Sequence, residues 1–292
     1  MINRRGFLRL TSAAAVCAFG TRLVARENPP AGNLLTAPIE LKGDWLYGDA
    51  VVRVLSRVRT VDLSGVRLLS DRQPARISVE NHNEGPPAIW LHRDEPERAA
   101  IIVDIGPSSD WCKLAYQFGH ELGHVLANSW QSSAKPQLPT QWLEEALVET
   151  FSIRGLRLLA DGWERSPPFA GDKAFAASIR QYRSNLLEAN KTDGAVGSPD
   201  DAASWFHASR ADLESGKGVP RGPAILGILA LYEEGEPSGK PSLIDDLGAL
   251  NRWPERTAVP IERYLERWKQ SCSEIGASGK LPTRLQQLFR LT

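Results

Sequence analysis

The chain has 292 residues, with 35 Lys and Arg against 35 Asp and Glu, and a formal net charge of +0 at pH 7. This balance leaves no basic stripe of the kind that binds nucleic acid. The length suits one medium-sized enzyme domain or two closely packed lobes. A helix that crosses a bilayer needs about 20 apolar residues, and no such run follows residue 25, so we expect no stable membrane span.

The first 25 residues have the pattern of an export signal. Arg4 and Arg5 are followed by a Phe-Leu pair and then by a short apolar run over Leu10–Gly20. A basic segment before an apolar one, with paired arginines, is typical of the twin-arginine type. We therefore predict a signal peptide over 1–25, export by the Tat machinery, and a periplasmic or secreted protein. Its removal takes away four arginines and no acid, so 31 basic residues face 35 acidic ones, a net charge of −4.

A helix and a small sheet are predicted before the middle of the chain. The helix lies around Ala50–Val58, and three segments rich in β-branched residues follow it as strands: Ala75–Glu80, Pro87–His92 and Ala99–Ile105. Turn-forming residues separate these segments. An edge strand of this sheet is a surface on which an extended peptide can pair.

The segment His120-Glu121-Leu122-Gly123-His124 is a metal-hydrolysis motif. Positions four apart on an α-helix lie on one face, so both imidazoles can reach one ion. Glu121 lies ~100° further around the helix, beside the ion rather than on it. The spacing therefore predicts that His120 and His124 bind a metal and that Glu121 is the general base for a metal-bound water.

The residues around the motif predict a buried helix that a neighbour approaches closely. Its apolar side is formed by Trp111, Leu114, Phe118, Leu122 and Val125. Gly119 and Gly123 line the other flank of the histidines, at a cost of roughly 1 kcal/mol each relative to alanine. We expect a ligand-bearing helix or a substrate strand to lie against these glycines.

Two histidines make a poor zinc site, so the motif requires a third ligand elsewhere. A second helix is predicted over Gln141–Leu159, antiparallel to the first because only a short loop separates them. Glu145 and Glu149 share a face of this helix, whereas Glu144 points ~100° away. We predict that Glu145 is the ligand and that Glu149 hydrogen-bonds a ligating histidine. If Glu144 were the ligand, Val148 would stand at the supporting position and could not do this.

The motif and the segment Trp-Leu-Glu-Glu-Ala-Leu-Val-Glu that ends at Glu149 resemble the gluzincin clan of metallopeptidases, which includes thermolysin and the aminopeptidase N family. The match is strongest to the Trp-Leu-Asn-Glu-Gly-x-x-Glu pattern of the aminopeptidase-like branch, with Glu144 in place of asparagine and Ala146 in place of glycine. It covers roughly residues 99–155. The resemblance implies a zincin-like fold, one Zn²⁺, Glu145 as ligand and Glu149 in support. A Gly-Ala-Met-Glu-Asn-like exopeptidase motif is lacking, so amino-terminus recognition is not implied.

Other side chains are candidates for accessory roles. His207, Tyr182 and Tyr232 are each a candidate donor to the oxyanion that forms in peptide hydrolysis. Cys112 and Cys272 remain after export, and an oxidising compartment permits a disulfide between them. Two free buried thiols are the equal alternative.

Most of the chain after residue 160 reads as helical. The predicted helices are Phe169–Glu188, Asp200–Glu214, Gly222–Glu233, Leu243–Leu250, Ile261–Ser271 and Thr283–Leu291. We therefore predict an α+β, zincin-like core over 26–160, with a small mixed sheet and the active-site helix, and an α-helical region over 161–292.

The predicted function is that of an exported zinc-dependent metallopeptidase that hydrolyses peptide bonds in a peptide or protein substrate by a Glu-activated, zinc-bound water. One alternative is a zinc hydrolase of a non-protein amide, such as a cell-wall peptide. The other is a non-catalytic exported binding module, against which the intact Glu121 argues, because a purely structural metal site has no use for a base. The sequence does not indicate the oligomeric state.

Overall fold

The structure, a computed structural model, describes residues 33–82, 85–91, 95–106, 109–131, 137–192, 201–234, 242–253 and 259–291. The signal peptide predicted over 1–25 lies outside these residues. Within them, every helix is too short or too polar to cross a bilayer.

One small mixed sheet stands at the N-terminal side of the described chain. Its strands are β1 (Ile39–Lys42), β2 (Arg76–Asn81), β3 (Ala88–Trp90) and β4 (Arg98–Val103), in the order β1-β2-β4-β3. The strands β1, β2 and β4 are parallel, and β3 runs antiparallel to β4 at one edge. Every residue of β4 after the first is buried, as expected of an inner strand with both faces covered. Strands β2, β3 and β4 confirm the predicted segments, with small shifts of their ends.

Three helices pack on one another next to this sheet. They are α1 (Gly48–Asp62), α2 (Trp111–Leu126) and α3 (Gln141–Arg165), and α2 also lies against β3 and β4. The side-chain oxygen Oδ1 of Asp110 caps the N-terminus of α2 by accepting a hydrogen bond from the backbone N–H of Lys113 at 3.1 Å. The sheet side of the molecule therefore places α2 between the strands and α3.

The rest of the described chain is helical. It contains α4 (Phe175–Thr192), α5 (Ala202–Glu214), α6 (Pro223–Glu233), α7 (Ile261–Ile275) and α8 (Lys280–Leu288), with 3₁₀ helices at Asp172–Ala174 and Leu243–Ala249. The α-helix predicted over Leu243–Leu250 is wrong in type. The segment packs closely on the main chain at Leu69, because a Cβ at Gly248 would lie 2.0 Å from the Leu69 carbonyl oxygen.

The α+β class predicted from the sequence is confirmed by this combination of helices with one small mixed sheet. Residues 31–292 form one unit. The division predicted at residue 160 lies inside α3, so the helix that follows the motif belongs to both halves.

The disulfide considered between Cys112 and Cys272 is not formed, and both residues are free buried thiols. Cys112 lies in the first turn of α2, where burial raises the pKa of its thiol to about 11. Cys272 lies in α7 with its sulfur 4.0 Å from the Asp246 carbonyl oxygen. Each thiol is thus packed in the interior as a small apolar group.

Candidate metal centre

Helices α2 and α3 bring the three predicted ligands together. One ligating atom from each of His120, His124 and Glu145 can be chosen so that all lie within 4.8 Å of one another. Glu145 Oε2 is 3.5 Å from His120 Nε2 and 3.7 Å from His124 Nε2. Two donor atoms at ~2.1 Å from a tetrahedral ion lie about 3.4 Å apart. The spacing therefore fits a metal ion held between the two imidazoles and the carboxylate.

The glycines beside the histidines allow the close approach that the sequence predicts. A Cβ at Gly123 would lie 2.9 Å from the Cβ of Val148, and one at Gly119 would lie 3.2 Å from the oxygen of Ser152. Both neighbours belong to α3, the helix that carries Glu145. The prediction that a neighbouring helix lies against these glycines is confirmed. A larger residue at Gly123 would push α3 away, and one at Gly119 would also meet Asp62 of α1 at 2.9 Å.

The outer nitrogen of His120 has a carboxylate partner. His120 Nδ1 lies 3.1 Å from Glu149 Oε2, and the Tyr116 hydroxyl donates to both oxygens of Glu149 at 2.7 and 2.8 Å. This contact between His120 and Glu149 is the one predicted from the four-residue offset to Glu145. A carboxylate in this position fixes the ring and leaves Nε2 for a metal.

The outer nitrogen of His124 has a carboxylate partner that sequence reasoning missed. His124 Nδ1 lies 2.7 Å from Glu144 Oε1, and the side chain of Glu144 is only 1% exposed. Glu144 also accepts hydrogen bonds from the hydroxyl of Ser129 and, at 2.6 Å, from the side-chain amide of Asn251. We expected Glu144 to point away from the site. Its side chain does lie away from the ligand position, and it contacts His124 at Nδ1, the nitrogen that faces away from Glu145.

The charges around the two histidines favour a cation. Burial lowers the pKa of an imidazole, but the hydrogen-bonded Glu145 and Glu149 outweigh it and raise the pKa of His120 to about 9. For His124 too, burial is outweighed, by Glu145 and Glu144, and its pKa is raised well above the usual value. Burial acts to raise the pKa of Glu145, but the histidines hold it well below its usual range. A divalent ion can take the place of the protons stabilised here.

The predicted base lies on the same helix as the two histidines. Glu121 is 2% exposed, and its negative charge is close enough to His120 to raise the pKa of that imidazole. A buried carboxylate next to a ligand set is placed to handle protons in a region from which bulk water is largely excluded.

The three candidate oxyanion donors have different surroundings. Tyr182, on α4, packs on the ring of Tyr116 with 6.0 Å between centroids, and burial, with nearby negative charges that include Glu149, raises its pKa to about 12. The hydroxyl of Tyr232 is buried in α6 and donates to the Leu147 carbonyl oxygen at 3.4 Å.

His207 lies on the exposed face of α5, next to the buried Phe206. The Tyr232 hydroxyl is bonded to the main chain of α3, and its role as an oxyanion donor stays a prediction, as does that of His207. Of the three candidates, Tyr182 is the one whose contacts lead to the metal cluster, through Tyr116 and Glu149.

The sequence matches no protein-family model, no curated protein and no solved structure. The comparisons thus supply no family for the chain. The geometry of His120, His124 and Glu145, and of the residues that hold them, indicates the chemistry instead.

Proposed function

We propose that this chain is an exported, zinc-dependent metallopeptidase with a zincin-like fold. The observation that carries the proposal is that each of the two imidazoles has a carboxylate at both of its ring nitrogens. Both histidines have Nδ1 against a glutamate and Nε2 towards Glu145. Zinc in catalytic sites accepts two imidazoles and a carboxylate, and each ligating imidazole is usually hydrogen-bonded through its other nitrogen.

His120, His124 and Glu145 would hold the ion, and Glu121 would handle the protons of the reaction. Zn²⁺ in such a site supplies a Lewis acid that makes water more acidic and polarises a carbonyl group. Glu121 takes the proton of the attacking water and passes it to the leaving amine. Burial of Glu121 supports this role, because it keeps the carboxylate in a region from which bulk water is largely excluded.

The edge of the sheet is our candidate for the surface that holds the substrate. Strand β3 is the outermost strand of the described sheet on its side, and it lies against α2, the helix with both histidines. The side chain of Trp90 on this strand is 55% exposed. An extended peptide can pair with such an edge through its main chain, which favours a peptide as substrate over a smaller amide.

The test compares the wild-type protein with Glu121→Gln for bound zinc and for hydrolysis of a denatured protein substrate. The matched control is Glu188→Gln, the same exchange at a side chain that is 65% exposed. We expect about one zinc per chain in all three proteins and hydrolysis by the wild type and the control that a chelator abolishes. Glu121→Gln should lose activity by 10²-fold or more, the usual contribution of a general base.

Two outcomes would contradict the proposal in different ways. A wild-type protein that binds no zinc under conditions where it is folded would remove the metal site. Full activity of Glu121→Gln with zinc bound would keep the site but remove the assigned base. Zinc binding without hydrolysis of any peptide or amide would favour the non-catalytic binding module.

Export is proposed from the paired arginines alone, and they lie outside the described residues. Lysine keeps the charge but not the planar, forked donor geometry of arginine. We expect the substitutions Arg4→Lys and Arg5→Lys together to keep the protein in the cytoplasm, as measured by cell fractionation. An unchanged extracytoplasmic fraction would argue against the Tat route.

A further inference from the structure

A chain of buried hydrogen bonds leads from the C-terminal half of the molecule to the candidate metal centre. The hydroxyl of Tyr264, on α7, donates to Asn251 Oδ1 at 3.2 Å. Asn251 Nδ2 in turn donates to Glu144 Oε2 at 2.6 Å, and the other oxygen of Glu144 contacts His124 Nδ1 at 2.7 Å. Each link is a polar contact of ordinary length between groups that are almost fully buried.

Asn251 is held in a single orientation by this chain and by its own backbone. It is 1% exposed and has φ of 60°, a left-handed conformation that asparagine adopts more readily than most residues. Its amide nitrogen also lies 2.9 Å from the Ala127 carbonyl oxygen and 2.8 Å from the hydroxyl oxygen of Ser129, so its two N–H groups are shared among three acceptors, Glu144 included. Because the Glu144 carboxylate and the Ala127 carbonyl can only accept hydrogen bonds, the nitrogen end of the amide must face them, and the oxygen end accepts from the Tyr264 hydroxyl.

A carboxylate buried at the depth of Glu144 is costly without donors around it. Its donors are His124, Ser129 and Asn251, and of these Asn251 is the one that comes from the C-terminal half. The donor from Asn251 is at Oε2, which leaves Oε1 for the imidazole. The donor to Oε2 of Glu144 thus comes from a residue 107 positions further along the chain.

We propose that Asn251 is a positioning residue of the metal centre, which acts through Glu144 to direct His124 Nε2 towards the ion. Tyr264 supports it by fixing its amide. The inference rests on the metal site of the proposed function and adds a role for the C-terminal half, whose described residues are not among the three proposed ligands.

The test measures zinc affinity of the metal-free protein by competition with a chromophoric chelator, and the visible absorption of the Co²⁺-loaded protein as a report on ligand geometry. The variant is Asn251→Ala. Its matched control is Asn128→Ala, because Asn128 is equally buried, has φ of 66° and donates to the Gly248 and Leu250 carbonyl oxygens. Alanine in a left-handed conformation is strained to a similar degree at both sites.

We expect Asn251→Ala to weaken zinc binding about 10-fold, the lower end of the loss seen when an outer partner of a metal ligand is removed, and to change the Co²⁺ spectrum. Asn128→Ala should leave both unchanged, even if both variants lose stability. Tyr264→Phe should weaken binding a few-fold, and its control Tyr232→Phe, which removes a buried hydroxyl bound to the Leu147 carbonyl, should not. The tyrosine pair decides the matter if the alanine variants do not fold.

Equal zinc affinity of Asn251→Ala or Tyr264→Phe and the wild type, with an unchanged Co²⁺ spectrum, would overturn the inference and leave the proposed function intact. Equal losses in a variant and its control would overturn it as well, because the effect would then be general to the packing of this region. A wild-type protein that binds neither zinc nor Co²⁺ would defeat the proposed function itself, and the inference with it.

Discussion

In both histidines of the candidate centre, Nε2 faces Glu145, but the carboxylates that contact the two Nδ1 atoms have different surroundings. Behind His120, Glu149 is 17% exposed and is held by Tyr116, and all three residues belong to α2 and α3. Behind His124, Glu144 is 1% exposed and is held by donors that include Asn251, from the C-terminal half. We refer to these as the Glu149 side and the Glu144 side.

The difference lies in how each carboxylate is stabilised. A partly exposed carboxylate can exchange a lost hydrogen bond for one with water, whereas a fully buried one that loses a donor has no replacement. On the Glu144 side, the orientation of His124 is therefore linked to the position of Asn251 in the C-terminal half. On the Glu149 side, it depends mainly on one pair of helices.

The largest effect is expected where the two sides meet, at Glu145, the proposed third ligand. Glu145→Ala removes the carboxylate oxygen that lies 3.5 and 3.7 Å from the two Nε2 atoms. Zinc affinity should therefore fall by more than the ~10–100-fold expected when an outer hydrogen-bond partner of a ligand is lost. Zinc competition measured alongside Glu144→Ala and Glu149→Ala checks this order. Equal losses in all three variants would argue that Glu145 is not a ligand.

The outer glutamates should differ in stability rather than in metal affinity. Glu144→Ala and Glu149→Ala should each weaken zinc binding ~10–100-fold. In the metal-free protein, Glu144→Ala should lower the free energy of unfolding by about 1–3 kcal/mol, because it takes the acceptor away from the buried hydroxyl of Ser129 and from His124 Nδ1. Glu149→Ala should change it by less than about 1 kcal/mol. Urea unfolding of the chelated proteins gives both values, and equal destabilisation would erase the distinction between the two sides.

The same difference decides what could be predicted from the sequence. Glu149 follows from Glu145 because a four-residue offset on one helix is a local rule, and the glycines beside the motif predict the approach of α3 on similar grounds. Glu144 could not be placed in this way. Its role depends on Asn251, 107 residues later, and no periodicity connects the two positions. The sequence does contain one indication of this role. Glu144 stands where the aminopeptidase-like pattern has asparagine, and this departure marks the position as unusual.

Other elements of the fold also differ in whether local sequence patterns or distant contacts determine them. Strands β2 and β4 and helices α1 to α3 follow from alternation and helical period. Strand β1 has only four residues, with Ile39 and Leu41 alternating with charged residues, and depends on parallel pairing with β2. The state of Cys112 and Cys272 likewise depends on where α2 and α7 lie in space, which the spacing of two cysteines does not specify.

A third prediction concerns pH and removal of the metal. In the metal-free protein the pKa of His120 is raised to about 9, above the ~6.5 of an unfolded histidine. A raised folded pKa contributes stability that is present below pH ~6.5 and is lost as the pH rises through about 9. Zinc competes with these protons, so the gain in melting temperature on adding zinc should increase across this range. A gain that does not depend on pH would contradict the assignment of His120 as a ligand.

The smallest effect is expected from Tyr116→Phe. This substitution tests how much the position of Glu149 depends on its hydrogen bond from the Tyr116 hydroxyl. The Tyr116 hydroxyl donates to both oxygens of Glu149 at 2.7 and 2.8 Å, so its loss removes the donor opposite His120. Because Glu149 is partly exposed, water can replace that donor, and zinc affinity should fall only a few-fold with little change in unfolding free energy. The control is Tyr182→Phe, which keeps the ring contact with Tyr116. A loss for Tyr116→Phe as large as that for Asn251→Ala would mean that the Glu149 side is as rigidly built as the Glu144 side, and burial would then not explain how this centre is held.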